Sequence, residues 1–314
     1  MSDTPGTSSA WTTRRLLAWI SDALTKKGIE SPRRCAEELL AHVLACKRLK
    51  LFMEADREAT PQELERLRAL VGRALKHEPV QYLVEGWSFF GVELRLDKRV
   101  LIPRSATEAI VEHVLQSARG RGQTETDASG RRREVYPNLR FADLCTGSGA
   151  IALALLKNLP GSSAVITDIS EEALSLAHEN ALIHRLDERI ESRQGDLVAP
   201  LLADQAWRNL DFVVSNPPYI PDREWAAVAV NVKDYEPHIA LRGGPDGLDF
   251  VRPILAAGPS LLRPGGQLVV EVAASTTGEA LALVQEDERL TGQRVLSDSD
   301  GLPRVIIAEL LPAS

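Results

Sequence analysis

Residues 211–220 read DFVVSNPPYI, an apolar run that ends in Asn216-Pro217-Pro218-Tyr219. Neither proline has the N–H that a central strand needs, so a strand must stop there and a loop begin. An asparagine side chain offers an acceptor and a pair of donors. The prolines hold the next residues extended and leave main-chain carbonyls free to accept. A planar NH2 group suits such a site. The Asn216 side-chain oxygen and the Pro217 carbonyl would each take one N–H, and Tyr219 would pack flat against the group. An amide or aryl amine nitrogen is a poor nucleophile, because its lone pair is delocalised. Anchoring both N–H bonds lets electron density build on nitrogen as it attacks a methyl sulfonium. The contributions required are then orientation and stabilisation of developing positive charge. Asn216, Pro217, Pro218 and Tyr219 are the expected catalytic and substrate-gripping set, with no metal and no covalent intermediate.

A second cluster lies upstream. RFADLCTGSGAIALALL (140–156) runs from a strand pattern through Gly147-Ser148-Gly149 into a helix pattern. Glycines there allow a tight turn and close approach of a ligand, and the helix start offers free N–H groups to an anionic group. Gly147, Gly149 and Ala152 also fit the dinucleotide fingerprint, so a nicotinamide-dependent oxidoreductase is a rival. The next strand pattern, SAVITD, ends in Asp168, which suits the two hydroxyls of a ribose. Asp196 and Leu197, after a third strand, would lie beside an adenine.

These residues need a frame. From residue 139, short apolar runs at 140–145, 163–168, 189–194, 211–215 and 267–273 alternate with helical stretches. That rhythm implies a mostly parallel sheet covered on both faces. Two last runs, about 292–298 and 303–311, have no helix between them and should pair antiparallel. Five parallel strands with a terminal antiparallel pair is the arrangement of a seven-stranded, Rossmann-like class I methyltransferase sheet. Residues 12–76 show amphipathic helical spacing instead: Leu16, Ile20 and Leu24 form one stripe, Leu39, Leu40 and Val43 another, Leu64, Leu67 and Val71 a third. Ser31-Pro32 and Thr60-Pro61-Gln62-Glu63 read as helix starts. The expected organisation is a disordered tail over 1–10, a helical substrate-docking bundle over 11–84, a β-hairpin linker over 85–106 and a catalytic domain over 107–314. The linker hairpin is expected to turn at Asp97-Lys98. The apolar-poor segment 117–138 reads as a flexible loop.

Bulk properties narrow the classes. The chain has 314 residues, of which 44% are hydrophobic, and a formal net charge of −7. That charge disfavours a protein held to nucleic acid by its phosphates, although residues 10–84 carry 14 Lys and Arg against 10 Asp and Glu. Cys35, Cys46 and Cys145 show no paired spacing, which argues against a disulfide scaffold or zinc site and for a cytoplasmic location. No apolar run approaches a membrane span. A non-enzymatic scaffold docking partners through its N-terminal helices is the remaining alternative class. His238 is expected to be structural.

The NPPY tetrapeptide is similar to that of methyltransferases acting on planar NH2 groups: adenine N6 in nucleic acid and glutamine N5 in proteins. GIESPRRCAEELLAHVL (28–44), EPVQYLVEGWSFFGVELRLDKRVLIPRSATE (78–108), DYEPHIALRGGPDGLDF (234–250) and LLRPGGQLVVEV (261–272) resemble the HemK/PrmC family over nearly the whole chain. The resemblance implies S-adenosylmethionine as cofactor. It implies methylation of the glutamine in the Gly-Gly-Gln motif of class 1 peptide chain release factors; a monomer without sequence-specific nucleic-acid binding is expected, the latter from the acidic chain. A sister group methylates a glutamine of a large-subunit ribosomal protein. By the same resemblance Thr146, Gly147, Ser148 and Gly149 hold the methionine end of the cofactor, Asp168 the ribose, Asp196 and Leu197 the adenine, with Asp143, Cys145 and Asn216 also at the cofactor. Arg104 lies near the substrate. The chain departs from the family at Ser105 and Ala106, where Pro and Glu are usual, and at Cys145, where Gly is commoner.

Overall fold

A computed structural model describes residues 10–121, 123–126, 132–135 and 138–312. The chain divides into two units. One comprises the chain up to Glu85 together with Val230–Tyr235; the other comprises Gly86–Ala229 and the chain from Glu236 onward.

The first unit is helical: α1 (Thr13–Lys26), α2 (Pro32–Val43), α3 (Arg48–Met53), α4 (Pro61–Ala74) and α5 (Val80–Leu83). The apolar stripes meet in a core that includes Leu16, Ile20, Leu24, Leu39, Leu40, Leu67 and Val71. Thr60 and Glu63 form a complete capping box at the start of α4, an arrangement that satisfies two otherwise orphaned N–H groups. Ser31 does not act as the expected side-chain cap. It stands before α2 with φ 48° and makes no capping hydrogen bond.

The second unit opens with a hairpin of β1 (Gly86–Phe89) and β2 (Val92–Arg95). Its turn is at Phe90-Gly91, not at Asp97-Lys98. Both turn residues have positive φ, 47° and 71°, the backbone that a two-residue hairpin turn requires. Asp97 is used differently: its carboxylate accepts from the main-chain N–H and the guanidinium of Arg99. Then come α6 (Glu108–Gly120), a two-stranded pair of β3 (Gln123–Thr126) and β4 (Arg132–Val135), β5 (Arg140–Leu144), α7 (Ala150–Asn158), β6 (Ser163–Asp168) and α8 (Glu171–His184). These are followed by β7 (Ile190–Gln194), α9 (Ala199–Leu202), β8 (Leu210–Ser215), α10 (Val230–Tyr235, in the helical unit), α11 (Val251–Ala257), β9 (Leu262–Glu271), α12 (Thr277–Gln285), β10 (Leu290–Ser297) and β11 (Pro303–Leu310). The 117–138 segment is therefore not a plain loop in its described parts, since a helix end and a strand pair occupy them. Residues 122, 127–131, 136 and 137, like the tail over residues 1–9, lie outside the described residues.

The main sheet has the order β10-β11-β9-β8-β5-β6-β7. β9, β8, β5, β6 and β7 are mutually parallel, and β11 runs antiparallel between β9 and β10. All six residues of β8 are buried. Burial of side chains such as Phe212, Val213 and Val214 contributes roughly 1.5–3 kcal/mol each. The chain winds from β5 toward β6 and β7 on one side and toward β8 and β9 on the other. The carboxyl ends of β5 and β8 thus meet where the strand order reverses, the place where open α/β sheets bind ligands.

Candidate active site

Behind β5 the chain makes three left-handed residues in five: Cys145 (φ 56°), Gly147 (φ 54°) and Gly149 (φ 80°). A left-handed backbone accounts for glycine being the easy residue at position 145. The loop is pinned from below. Asp143 is fully buried, and one of its oxygens accepts from Thr146 Oγ1 at 2.7 Å and from the Ala152 N–H at 3.2 Å. Burial pushes its carboxyl up to about 7, with the nearby charge of Asp168 adding to the effect. Thr146 N–H donates to the Thr167 carbonyl, and Asn180 Nδ2 donates to the Ser148 carbonyl.

Asp168 ends β6 and faces the loop. Its Oδ2 accepts from the Gly147 N–H and its Oδ1 from the Ser170 N–H, both at 3.0 Å. Burial raises its carboxyl above the usual range. After β7, the Gly195 N–H donates to the Asp168 carbonyl, and Thr167 Oγ1 donates to the carbonyl of Leu197, another left-handed residue (φ 49°).

At the end of β8, Ser215 Oγ donates to the Leu144 carbonyl at 2.8 Å, which ties the two strand ends together. Asn216 Nδ2 donates to Thr107 Oγ1 at 3.0 Å. Tyr219 turns its hydroxyl to Glu271 Oε1, 2.8 Å away, at the end of β9. Burial and the Glu271 charge together hold the Tyr219 phenol well above its ordinary value. Past Tyr219 the chain stays extended: Ile220 exchanges main-chain hydrogen bonds with Leu241 and Gly243. A Cβ on Gly243 would stand 2.7 Å from Tyr219 Cα, and one on Gly247 2.6 Å from the Tyr219 carbonyl oxygen. These two glycines let the 241–247 loop lie directly on the tetrapeptide.

A cavity of about 290 Å3 joins these strand ends. Of the expected cofactor residues, Cys145, Gly147, Asp168, Asp196, Leu197 and Asn216 line it, whereas Asp143, Thr146, Ser148 and Gly149 do not. The latter lie behind the wall and shape the loop. Of the expected substrate set, Asn216 and Pro218 reach the cavity, Pro217 is buried and Tyr219 points to Glu271. Arg104 is not on the wall. Its guanidinium is 2.5 Å from Glu236, which also accepts the Ile102 N–H. His238 packs edge-on against Trp225 and is likewise off the wall.

Sequence reasoning missed the roles of Thr107 and Glu271. Glu271 did leave a signal, an acid directly after the apolar run Leu268–Val270. A larger, more open groove of about 540 Å3 lies at the amino ends of β5 and β8. Its Arg121 and Arg263 both reach the carboxylate of Asp211.

The cavity fits S-adenosylmethionine. A Cβ on Gly147 would meet nothing within 4 Å, so the loop backbone fronts open space. The half-buried acid Asp168 stands beside that opening, and Leu197 with Asp196 presents an apolar face and an acceptor, a set that suits a ribose diol and an adenine. Sheet order, glycine loop and strand-end acid together define a class I S-adenosylmethionine-dependent methyltransferase. The PrmC N-terminal domain family matches residues 15–84, and the methyltransferase small domain family matches residues 134–232. A release factor glutamine methyltransferase from Chlorobaculum tepidum is 38% identical over 274 residues, 87% of this chain and 90% of that protein. One from Rhodopirellula baltica is 35% identical over 97% of this chain and 96% of its own length. The solved catalytic domain of hMettl16 shares the fold, with a TM-score of 0.50, 17% identity and coverage of 72% of this chain and 77% of that one. The chain belongs to the release factor glutamine methyltransferase family.

Proposed function

We propose that this enzyme methylates the side-chain amide nitrogen, N5, of the glutamine in the Gly-Gly-Gln motif of class 1 peptide chain release factors. The observation that carries the reading is the fixed Asn216 amide. With Nδ2 committed to Thr107, Oδ1 is the atom left to accept at a cavity that Asn216 shares with Asp168. The relatives named above are release factor glutamine methyltransferases, and the N-terminal helices, with a surplus of four positive charges over residues 10–84, suit the docking of a protein substrate.

When bound, S-adenosylmethionine supplies a methyl group on a positively charged sulfur. In this reading the chain's own residues do the rest. Asp168 holds the ribose, while Asp196 and Leu197 hold the adenine. Asn216 Oδ1 and the Pro217 carbonyl take the two N–H bonds of the substrate amide. That grip orients the nitrogen lone pair and supports the positive charge that grows on it during attack. The methylated nitrogen then loses one proton to water, so no strong base is needed.

The test is transfer of labelled methyl from S-adenosylmethionine to purified release factor, ribosomal proteins and DNA, offered separately, with mass spectrometry to locate the product. Methylation of the Gly-Gly-Gln glutamine, absent in Asn216→Ala, is the expected result. Label on a ribosomal-protein glutamine would keep the chemistry and overturn the substrate.

A further inference from the structure

Tyr219 closes the tetrapeptide, yet it is not on the cavity wall. Its hydroxyl donates to Glu271 Oε1 at 2.8 Å instead. Glu271 is wholly buried and is the last residue of β9. It stands in register with Val305 of β11, so its carboxylate is mounted on a paired strand of the main sheet. Its second oxygen, Oε2, has no hydrogen-bond partner among the described residues. A buried carboxylate with so few donors is costly to keep, and a buried polar atom left unpaired calls for a reason.

The reason lies in how the tetrapeptide is held. At its start, Asn216 Nδ2 donates to Thr107 Oγ1. At its end, the main chain of Tyr219 lies against Gly243 and Gly247, where an added Cβ would stand 2.7 or 2.6 Å away. The glycine loop thus fixes the Tyr219 backbone from one side, and Glu271 fixes the far end of its ring from the sheet. Between Asn216 and Tyr219, each proline ring locks φ near about −65°. Few soft dihedrals then separate Tyr219 from the Pro217 carbonyl. A shift of Tyr219 is carried back to that carbonyl rather than absorbed on the way.

We infer that Glu271 is a positioning residue that acts through the Tyr219 hydroxyl. Their hydrogen bond anchors the tetrapeptide to the main sheet and so sets where the Pro217 carbonyl and the Asn216 amide meet the acceptor nitrogen. The inference rests on the proposed grip of Asn216 and Pro217 on a substrate amide.

The test compares Tyr219→Phe, Glu271→Met, Glu271→Gln and the double variant Tyr219→Phe with Glu271→Met, all in the full chain, using whichever acceptor protein the natural enzyme methylates. Tyr219→Phe and Glu271→Met each break the anchor. Each is expected to lose about tenfold or more in kcat, with S-adenosylmethionine affinity within about twofold. Glu271→Gln keeps an oxygen that can accept from the hydroxyl and should retain most of the rate. The double variant separates anchoring from stability. Tyr219→Phe leaves a buried carboxylate without its donor, so its urea midpoint should fall. Removing both partners relieves that cost, so the double variant should regain the midpoint of the natural enzyme while its kcat stays low. A rate that returns together with stability would reduce the pair to a structural role and overturn the anchor. Glu271→Gln as slow as Glu271→Met would overturn it in favour of the charge itself.

A further readout needs no turnover and judges the anchor separately from the proposed function. In the full chain labelled with 3-fluorotyrosine, the Tyr219 fluorine resonance is the one lost in Tyr219→Phe. It should shift and broaden in Glu271→Met and hold its position and width more closely in Glu271→Gln. A resonance that Glu271→Met leaves unmoved would overturn the anchor. Failure of the natural enzyme to methylate any acceptor amide would count against the proposed function and leave the fluorine result to decide the anchor.

Discussion

The carboxylate of Asp168 accepts the main-chain N–H of Gly147 at 3.0 Å, so the acid closing β6 and the glycine at the crest of the loop after β5 form one structure. The same side chain also accepts from Ser170 at the start of α8. Asp168→Ala therefore removes the expected ribose acceptor and loosens the loop together. Hydrogen bonds to a charged group contribute about 1.5–3 kcal/mol each, so the dissociation constant for S-adenosylmethionine should rise at least about tenfold in calorimetry. An unchanged affinity would remove Asp168 from the cofactor site.

Asp143 makes stability depend on pH. Its carboxyl is pushed up from the usual 3.8 to about 7, by burial first. Between those values the folded chain keeps a proton that the unfolded chain has lost. Its contribution is fully present below about pH 3.8 and is lost as pH rises through about 7. The difference in unfolding free energy between the natural protein and Asp143→Asn should therefore shrink from pH 5 to pH 8, by up to about 3 kcal/mol. Urea denaturation at each pH measures it. A difference that stays flat, or grows with pH, would contradict the assignment.

Gly243→Ala and Gly247→Ala should damage turnover more than cofactor binding. Each added methyl would press on the main chain of Tyr219, at 2.7 and 2.6 Å, and neither neighbour is the end of a flexible side chain. Gly247 adds the cost of a left-handed backbone (φ 85°). A fall in kcat of about tenfold or more, with nearly unchanged S-adenosylmethionine affinity, is the expected pattern. A variant that binds cofactor poorly and turns over normally would show that the loop serves the other half of the cavity.

The sheet was legible because most of its strands left a short apolar run, β7 (IESRQ) excepted, and only the five residues 298–302 separate the last two strands. The cavity wall was legible where single residues carry the chemistry, as at Asp168 and Asn216. What escaped was set by backbone and by distant partners. Nothing in the alternation of residues 86–102 marks Phe90-Gly91 as the hairpin turn, because a phenylalanine with positive φ is held there by tertiary structure. Motif reading placed Asp143, Thr146 and Ser148 against the cofactor. It could not show that Asp143 uses its carboxylate to hold Thr146, because that bond depends on burial. The six residues Val230–Tyr235 carry no local signal that they belong with the helical unit, where the Tyr235 hydroxyl donates to the Lys76 carbonyl at 2.9 Å.

Arg104 separates a structural role from a substrate role. Glu236 has no exposed side-chain surface and accepts from both the Arg104 guanidinium and the Ile102 N–H, whereas the Arg104 side chain is 34% exposed. Arg104→Ala leaves the carboxylate buried with one donor. Removing one partner of a fully buried pair costs about 3–5 kcal/mol, and solvent near the exposed arginine reduces that to roughly 1–3 kcal/mol. Glu236→Gln should cost less, because its amide oxygen can still accept from Ile102. If Arg104 is structural, denaturation shows this loss for Arg104→Ala and the KM for release factor changes little in the folded fraction. If it also touches the substrate, KM rises several-fold in Arg104→Ala but not in Glu236→Gln, because only the first variant removes the guanidinium. Equal KM effects in both variants would mean that the 100–104 segment itself, held by Glu236, is what the substrate meets.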